Sequence, residues 1–156
     1  HALHPRGRDG DMMGEILKRA EVAAEACRWL GTPYHHHGRV HGVGVDCAML
    51  LAEVFERCGM VSHVDAGFYP REWHLHRGEE LFLGWLDRCG AREVATPRAG
   101  DVAVYRFGRC FSHGAVIVTD AGLAVHAYIG RGVIRTAPDE EPLAGRLRRC
   151  FTLFKA

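Results

Sequence analysis

The chain is 156 residues long, 47% apolar and 25% charged, with a formal net charge of +1. That length suits one domain with a core of its own and no need of disulfide staples, and the balanced charge offers no basic patch for nucleic acid. No run approaches the roughly 18 apolar residues of a membrane span, and the polar N-terminus lacks the pattern of a secretory signal peptide, so neither a membrane partner nor export by that route is expected.

The opening stretch, His1 to Gly10, has no initiator Met and no periodicity. It reads as a disordered leader or an added remnant, outside the fold. Ile16, Leu17, Ala20, Ala23, Cys27 and Leu30 recur at helical spacing before Gly31, which predicts a first helix from about Met13 to Leu30 on that stripe. A Gly- and His-rich loop follows from Thr32 to Val45, with Pro33 breaking any helix. A second helix is predicted from Asp46 to Arg57, burying Leu50, Leu51, Val54 and Phe55. A third, from Gly78 to Cys89, buries Leu81, Phe82, Trp85 and Leu86. After Pro97 the period changes. Asp101–Arg106, His113–Thr119, Leu123–Tyr128, Val133–Thr136 and Arg149–Phe154 are short β-branched or aromatic runs broken by Gly, Asp or Pro. Helices first and a mostly antiparallel sheet second make an α+β domain spanning residues 11–156.

Six cysteines invite a disulfide or zinc reading. Cys27, Cys58 and Cys89 fall on apolar helix stripes, where a free thiol behaves as a small hydrophobe. No CxxC pair is present, so a zinc cage is not expected. Cys47 alone stands at the start of a helix, after Gly42-Val43-Gly44-Val45-Asp46. There the macrodipole and open backbone N–H groups favour thiolate, the attacking species, and could also hold an oxyanion. The competing reading is one more core cysteine at a loop–helix junction.

A cysteine nucleophile needs a base, and the base an orienting partner. His113 and His126 lie on successive predicted strands. They sit side by side if the hairpin pairs His113 with His126 and Ala115 with Ala124, which requires a turn at Thr119-Asp120. The better local turn signal, Ala121-Gly122, would part them by about four positions. Either histidine could equally be a satisfied strand residue. His35, His36, His37 and His41, or His74 and His76, suggest metal only weakly. Adjacent loop histidines rarely converge on one ion, and no Asp, Glu or Cys stands at ligand spacing. No metal and no cofactor is expected.

These residues resemble a known family. Gly31-Thr32-Pro33-Tyr34 with Gly42-Val43-Gly44-Val45-Asp46-Cys47 resembles the approach to the nucleophile of NlpC/P60 cysteine peptidases. Arg98-Ala99-Gly100-Asp101-Val102 is similar to the turn into that family's first core strand. Ser112-His113-Gly114-Ala115-Val116-Ile117-Val118 looks like the strand carrying its base, and Val125-His126-Ala127 like the strand of its third polar residue. The blocks occur in the family's order. The resemblance implies a papain-like α+β fold and a Cys47–His113–His126 triad. It also implies hydrolysis of peptidoglycan stem peptides, usually between D-glutamate and a diamino acid. By the same resemblance Tyr34 would line the cleft and help position substrate or oxyanion. Asp46 would fix the helix start or meet a substrate amine, and Ser112 would line the cleft. Ala48 departs from the family's usual small polar residue, and His35-His36-His37 from a usually less basic stretch; both bear on substrate preference.

The segment Phe68 to Arg77 is similar to the subgroup found with phage tails and gene transfer agents. That implies tail-tip protein partners, synthesis in the cytoplasm and action on the cell wall from a virion or particle tail. Alternatives are a catalytically silent tail-tip component, an amidase or acyltransferase on the same scaffold, and a metal-binding module.

Overall fold

A computed structural model describes residues 6–67, 69 and 80–155. In chain order the described elements are α1 (Arg6–Arg28), β1 (Arg39–Val40), β2 (Gly44–Val45), α2 (Cys47–Arg57) and α3 (Leu81–Arg88), followed by six strands. These are β3 (Arg92–Val94), β4 (Val102–Phe107), β5 (Cys110–Ile117), β6 (Ala124–Tyr128), β7 (Gly132–Thr136) and β8 (Arg148–Thr152). The six form one antiparallel sheet in the order β3-β8-β4-β5-β6-β7. This is the α+β layout expected from the change of period after Pro97. The short hairpin β1–β2 and the edge strand β3 were not legible as runs, being two and three residues long.

α1 departs from expectation in extent and in facing. It is helical from Arg6, so the unstructured leader does not hold for residues 6–10, while residues 1–5 lie outside those described. Its buried face is Arg19, Val22, Ala26 and Trp29, whereas Ile16 and Leu17 are 49% and 64% exposed. The reason is Arg19. Its guanidinium reaches Asp101 Oδ1 at 2.9 Å and the Ala99 carbonyl at 3.0 Å, and lies 4.2 Å from the Phe154 ring centre. A pattern search reads that position as polar, and the apparent stripe slips to the solvent side.

α2 follows its pattern closely. Leu50, Leu51, Val54 and Phe55 are buried, with Ala48, Met49 and Ala52 beside them. Each such side chain, fully buried, stabilises the fold by about 1.5–3 kcal/mol for the Val, Leu and Phe sizes. They pack with Trp29, Phe82, Val102, Val104, Val116 and Val125 in the core between helices and sheet. In α3 only Phe82 and Leu86 are buried; Leu81 and Trp85 are half-buried at its margin. The opposite sheet face buries Ala103, Tyr105, Ala115, Ile117 and Ala124 under Leu143. The start expected for the third helix and most of the Phe68–Arg77 segment lie outside the described residues.

Two irregularities of the sheet prepare the site. Between β4 and β5 the register runs Tyr105↔His113 and then Arg106↔Phe111, leaving Ser112 as the extra residue of a bulge. Between β5 and β6 the named pairs stop at Val116↔Val125 and Ile117↔Ala124. Beyond Val116 this ladder gives way, and the cleft occupies that end of the sheet.

Candidate active site

Cys47 is the first residue of α2, and Asp46 is its N-cap. One Asp46 oxygen accepts the Met49 N–H at 2.9 Å, the helix cap expected of an aspartate there. The other accepts the His37 N–H at 2.9 Å and the Tyr69 hydroxyl. These bonds tie the Gly/His loop and Tyr69 to the helix start. His37 holds a left-handed φ of 62°, and its ring stacks on Tyr69 with centres 4.0 Å apart. Asp46 therefore fixes the helix start; of a carboxylate's roughly four acceptor positions, three are used by these donors.

Cys47 lies half-buried in a cleft lined also by Tyr34, His36, Asp46, Tyr69, Phe107, Ser112, His113 and Tyr128. Its thiol points to the Ser112 carbonyl, at 3.7 Å, which the bulge turns toward it. Burial pushes the Cys47 thiol up to about 12, and the Asp46 charge adds to that push. The backbone N–H groups of Gly114, Ala48 and Cys47 itself pull the other way without prevailing. The donors expected at a helix start are therefore present, but burial outweighs them and favours the thiol form. Gly114 has to be glycine, because a Cβ there would meet the Phe82 ring at 2.3 Å.

His113 and His126 come together, but not by the register that direct pairing demands. The observed register places His126 diagonally from His113, since Val116 faces Val125. The hairpin turns through Thr119–Gly122, with Gly122 N–H to the Thr119 carbonyl at 3.0 Å and Gly122 at φ +97°. The glycine signal was therefore real, one position from where a two-residue turn would use it. Diagonal neighbours on one face lie within reach of aromatic side chains, and the imidazoles span the gap. His113 Nε2 meets His126 Nδ1 at 2.7 Å, with the rings nearly perpendicular at 87°.

A second diagonal extends the chain. Thr136 faces Ala124 across β6–β7, and its Oγ1 lies 2.8 Å from His126 Nε2. Thr136 was not singled out in the sequence; its only signal is a polar residue closing a strand beside the one that carries His126. His126 is fully buried, and burial, helped by the Arg131 charge, lowers its imidazole to about 4. It stays neutral near pH 7. Phe107 and Tyr128 wall the His113 ring, with centres 5.0 and 5.9 Å away.

The remaining expected residues fall as follows. Tyr34 lines the cleft and bridges Val45, and Ser112 lies beside Cys47 with its hydroxyl on the Phe107 carbonyl at 3.2 Å. The loop histidines turn to backbone carbonyls: His36 and His37 both reach that of Tyr69, and His41 reaches that of Arg28. Among the described residues no three His, Cys, Asp or Glu gather as a ligand set, and His74 and His76 lie outside them. All six cysteines are free thiols.

A cysteine opening a helix, against an antiparallel sheet with histidines on adjacent strands, is the layout of a papain-like α+β domain. Among solved structures, the fold is similar to the crystal structure of the NlpC/p60 domain of the peptidoglycan hydrolase SagA. The TM-score is 0.55 at 21% identity, covering 84% of this chain and 96% of that one. No protein-family model and no curated protein matches the chain.

Proposed function

We propose that this chain is a cysteine endopeptidase that hydrolyses peptidoglycan stem peptides between D-glutamate and the diamino acid. The observation that carries the reading is that Cys47 and His113 line one cleft, with His126 and then Thr136 hydrogen-bonded behind His113, on a fold similar to that of an NlpC/p60 domain. In this reading Cys47 is the nucleophile, His113 the base, and His126 its orienting partner.

The hydrogen bonds set the tautomers. With Thr136 Oγ1 accepting from His126 Nε2–H, His126 Nδ1 offers a lone pair to His113 Nε2–H. His113 then acts on the thiol through Nδ1. It takes the Cys47 proton as sulfur attacks the peptide carbonyl. The backbone N–H groups near sulfur and the cleft residue Tyr34 receive the oxyanion. The C–N bond breaks as His113 returns the proton to the leaving amine. Water, deprotonated by the same imidazole, then cleaves the thioester and restores the thiol. An imidazolium at His113 has both nitrogens protonated, and a neutral His126 is then the acceptor it needs.

The sequence likeness of the Phe68–Arg77 segment to tail proteins supports a second element of the proposal. The enzyme would be carried on the tail of a phage or gene transfer agent and would work on the cell wall, among tail-tip proteins.

The test is mass spectrometry of fragments released from diaminopimelate-type sacculi by the parent and by Cys47→Ala. Cleavage after D-glutamate by the parent alone is expected. Silence from both folded proteins would favour a structural tail component, a reading to which the high resting position of the Cys47 thiol lends some weight.

A further inference from the structure

The catalytic cleft does not end at Tyr34. Tyr34 also lines a second groove, with Gly31, Pro33, Gly130, Arg131 and Gly132. Tyr34 is common to both depressions, and the chain leaving β6 serves both: Tyr128 and Ile129 line the cleft, Gly130 to Gly132 the groove. Three of the six lining residues are glycines, so backbone rather than side chain forms much of the surface.

Arg131 carries the only charge among those lining residues. Its side chain is exposed, and no hydrogen bond or ion pair to another described residue engages its guanidinium. The backbone beneath it is fixed. Arg131 N–H reaches the Tyr128 carbonyl at 3.0 Å, Gly31 N–H the Val133 carbonyl at 3.0 Å, and Val133 N–H the Thr32 carbonyl at 2.9 Å. The turn is thereby tied to the loop that carries Tyr34. A planar cation on a braced turn, in a groove that shares Tyr34 with the nucleophile's cleft, matches a carboxylate, which guanidinium binds in bidentate fashion.

We propose that this groove is a substrate subsite in which Arg131 binds a free carboxylate on a residue flanking the scissile bond. The inference rests on the stem-peptide reading above, which supplies two such groups. A γ-linked glutamate leaves its α-carboxylate outside the chain, and diaminopimelate carries a second carboxylate on its side chain.

The experiment uses four synthetic stem peptides ending in D-alanine amide. The glutamate α-carboxyl is free or amidated, and the diamino acid is diaminopimelate or lysine. Parent and Arg131→Gln are compared on each for kcat and KM, and the same peptides are titrated calorimetrically into Cys47→Ala and Cys47→Ala/Arg131→Gln. Removing the recognised carboxylate should raise KM by about 10- to 100-fold in the parent, as expected for losing a charged hydrogen bond. Arg131→Gln should raise KM by a similar factor on peptides that carry that carboxylate and add little on those that lack it. Arg131→Lys should restore part of the loss. Which substitution matters identifies the carboxylate. An equal loss on all four peptides, or unchanged KM and unchanged binding in Arg131→Gln, overturns the subsite. Failure of the parent to cleave any peptide counts against the peptidase reading instead, and the calorimetry then decides the subsite: weaker binding without Arg131 supports it, equal or absent binding overturns it.

Discussion

The half of the cleft that holds Cys47 and the half that holds His113 are assembled from different kinds of contact. Around Cys47 the contacts gather at one helix start: Asp46 caps the helix, His37 binds that cap from nine residues upstream and Tyr69 from farther along the chain, while the thiol itself meets the Ser112 carbonyl on β5. Around His113 they run from strand to strand, made by diagonals across three strands whose register the whole sheet decides. Burial acts on both halves and favours the uncharged form in each, raising the thiol and lowering the His126 imidazole. The Cys47 thiol and the His126 imidazole are thus both held toward their uncharged forms. In the proposed mechanism, charge separation is then driven by proton transfer to His113 at the moment of attack. The backbone donors near sulfur, too weak to make a resting thiolate, are placed to act on the charge that then develops.

This contrast is tested most severely by the base. His113→Ala removes the proposed base for the Cys47 proton, and fragment release should fall by about 10²–10⁴-fold. His126→Ala should leave a measurable rate, because it orients the base without touching the substrate. Equal and complete loss in both would erase the division between base and support. The next effect is on stability. His126 titrates at about 4 in the fold against an ordinary 6.5, so the unfolded chain takes up a proton that the native state refuses. The stability that follows from a neutral His126 is present above pH 6.5 and is lost as pH falls toward 4. At 1.36 kcal/mol for each tenfold change in affinity the ceiling is about 3 kcal/mol. Urea unfolding of the parent and His126→Gln at a series of pH values checks this. The variant should be flatter over that window, and identical slopes would remove His126 as the cause.

What the sequence made legible follows the same division. Cys47 could be placed at a helix start because Asp46, the glycines before it and the apolar stripe after it are local signals. His113 and His126 could be assigned to neighbouring strands, but not their geometry. Direct pairing was the obvious way to join them, and the structure uses a diagonal. That choice depends on a turn of four residues and on a ladder that gives way after Val116, neither of which a local pattern fixes. Thr136 escaped for the same reason, since its importance comes wholly from a partner on another strand. α1 shows the converse failure: a strong local stripe pointed the wrong way because one buried arginine, satisfied by Asp101 and Phe154, outweighed it.

The helix-start half can be sharpened through Asp46. Its charge raises the Cys47 thiol, so Asp46→Asn should shift the pH dependence of iodoacetamide labelling at Cys47 to lower pH, giving severalfold faster alkylation at pH 8. The asparagine oxygen can still accept from Met49 N–H, but its amide cannot accept from His37 N–H. About 1–3 kcal/mol of stability should be lost as a result. Circular dichroism would verify that the fold persists. Labelling that is unchanged, in a folded variant, would mean that burial alone sets the thiol.

The smallest expected effect lies at the far end of the relay. Thr136→Val keeps the shape of the buried side chain and removes the oxygen 2.8 Å from His126 Nε2. His126 then has no partner holding its proton on Nε2, and the opposite tautomer, with Nδ1 protonated, becomes available to the resting enzyme. That tautomer presents a donor to His113 Nε2, forces the His113 proton onto Nδ1, and blocks acceptance from Cys47. A preference of about 1 kcal/mol lost at this bond corresponds to roughly a fivefold fall in kcat, with KM unaffected because Thr136 is buried away from the substrate. Thr136→Ser, which restores the hydroxyl, should recover most of the rate. A Thr136→Val enzyme with full kcat would show that His126 is oriented by packing alone, and the inter-strand half of the site would then end one residue sooner.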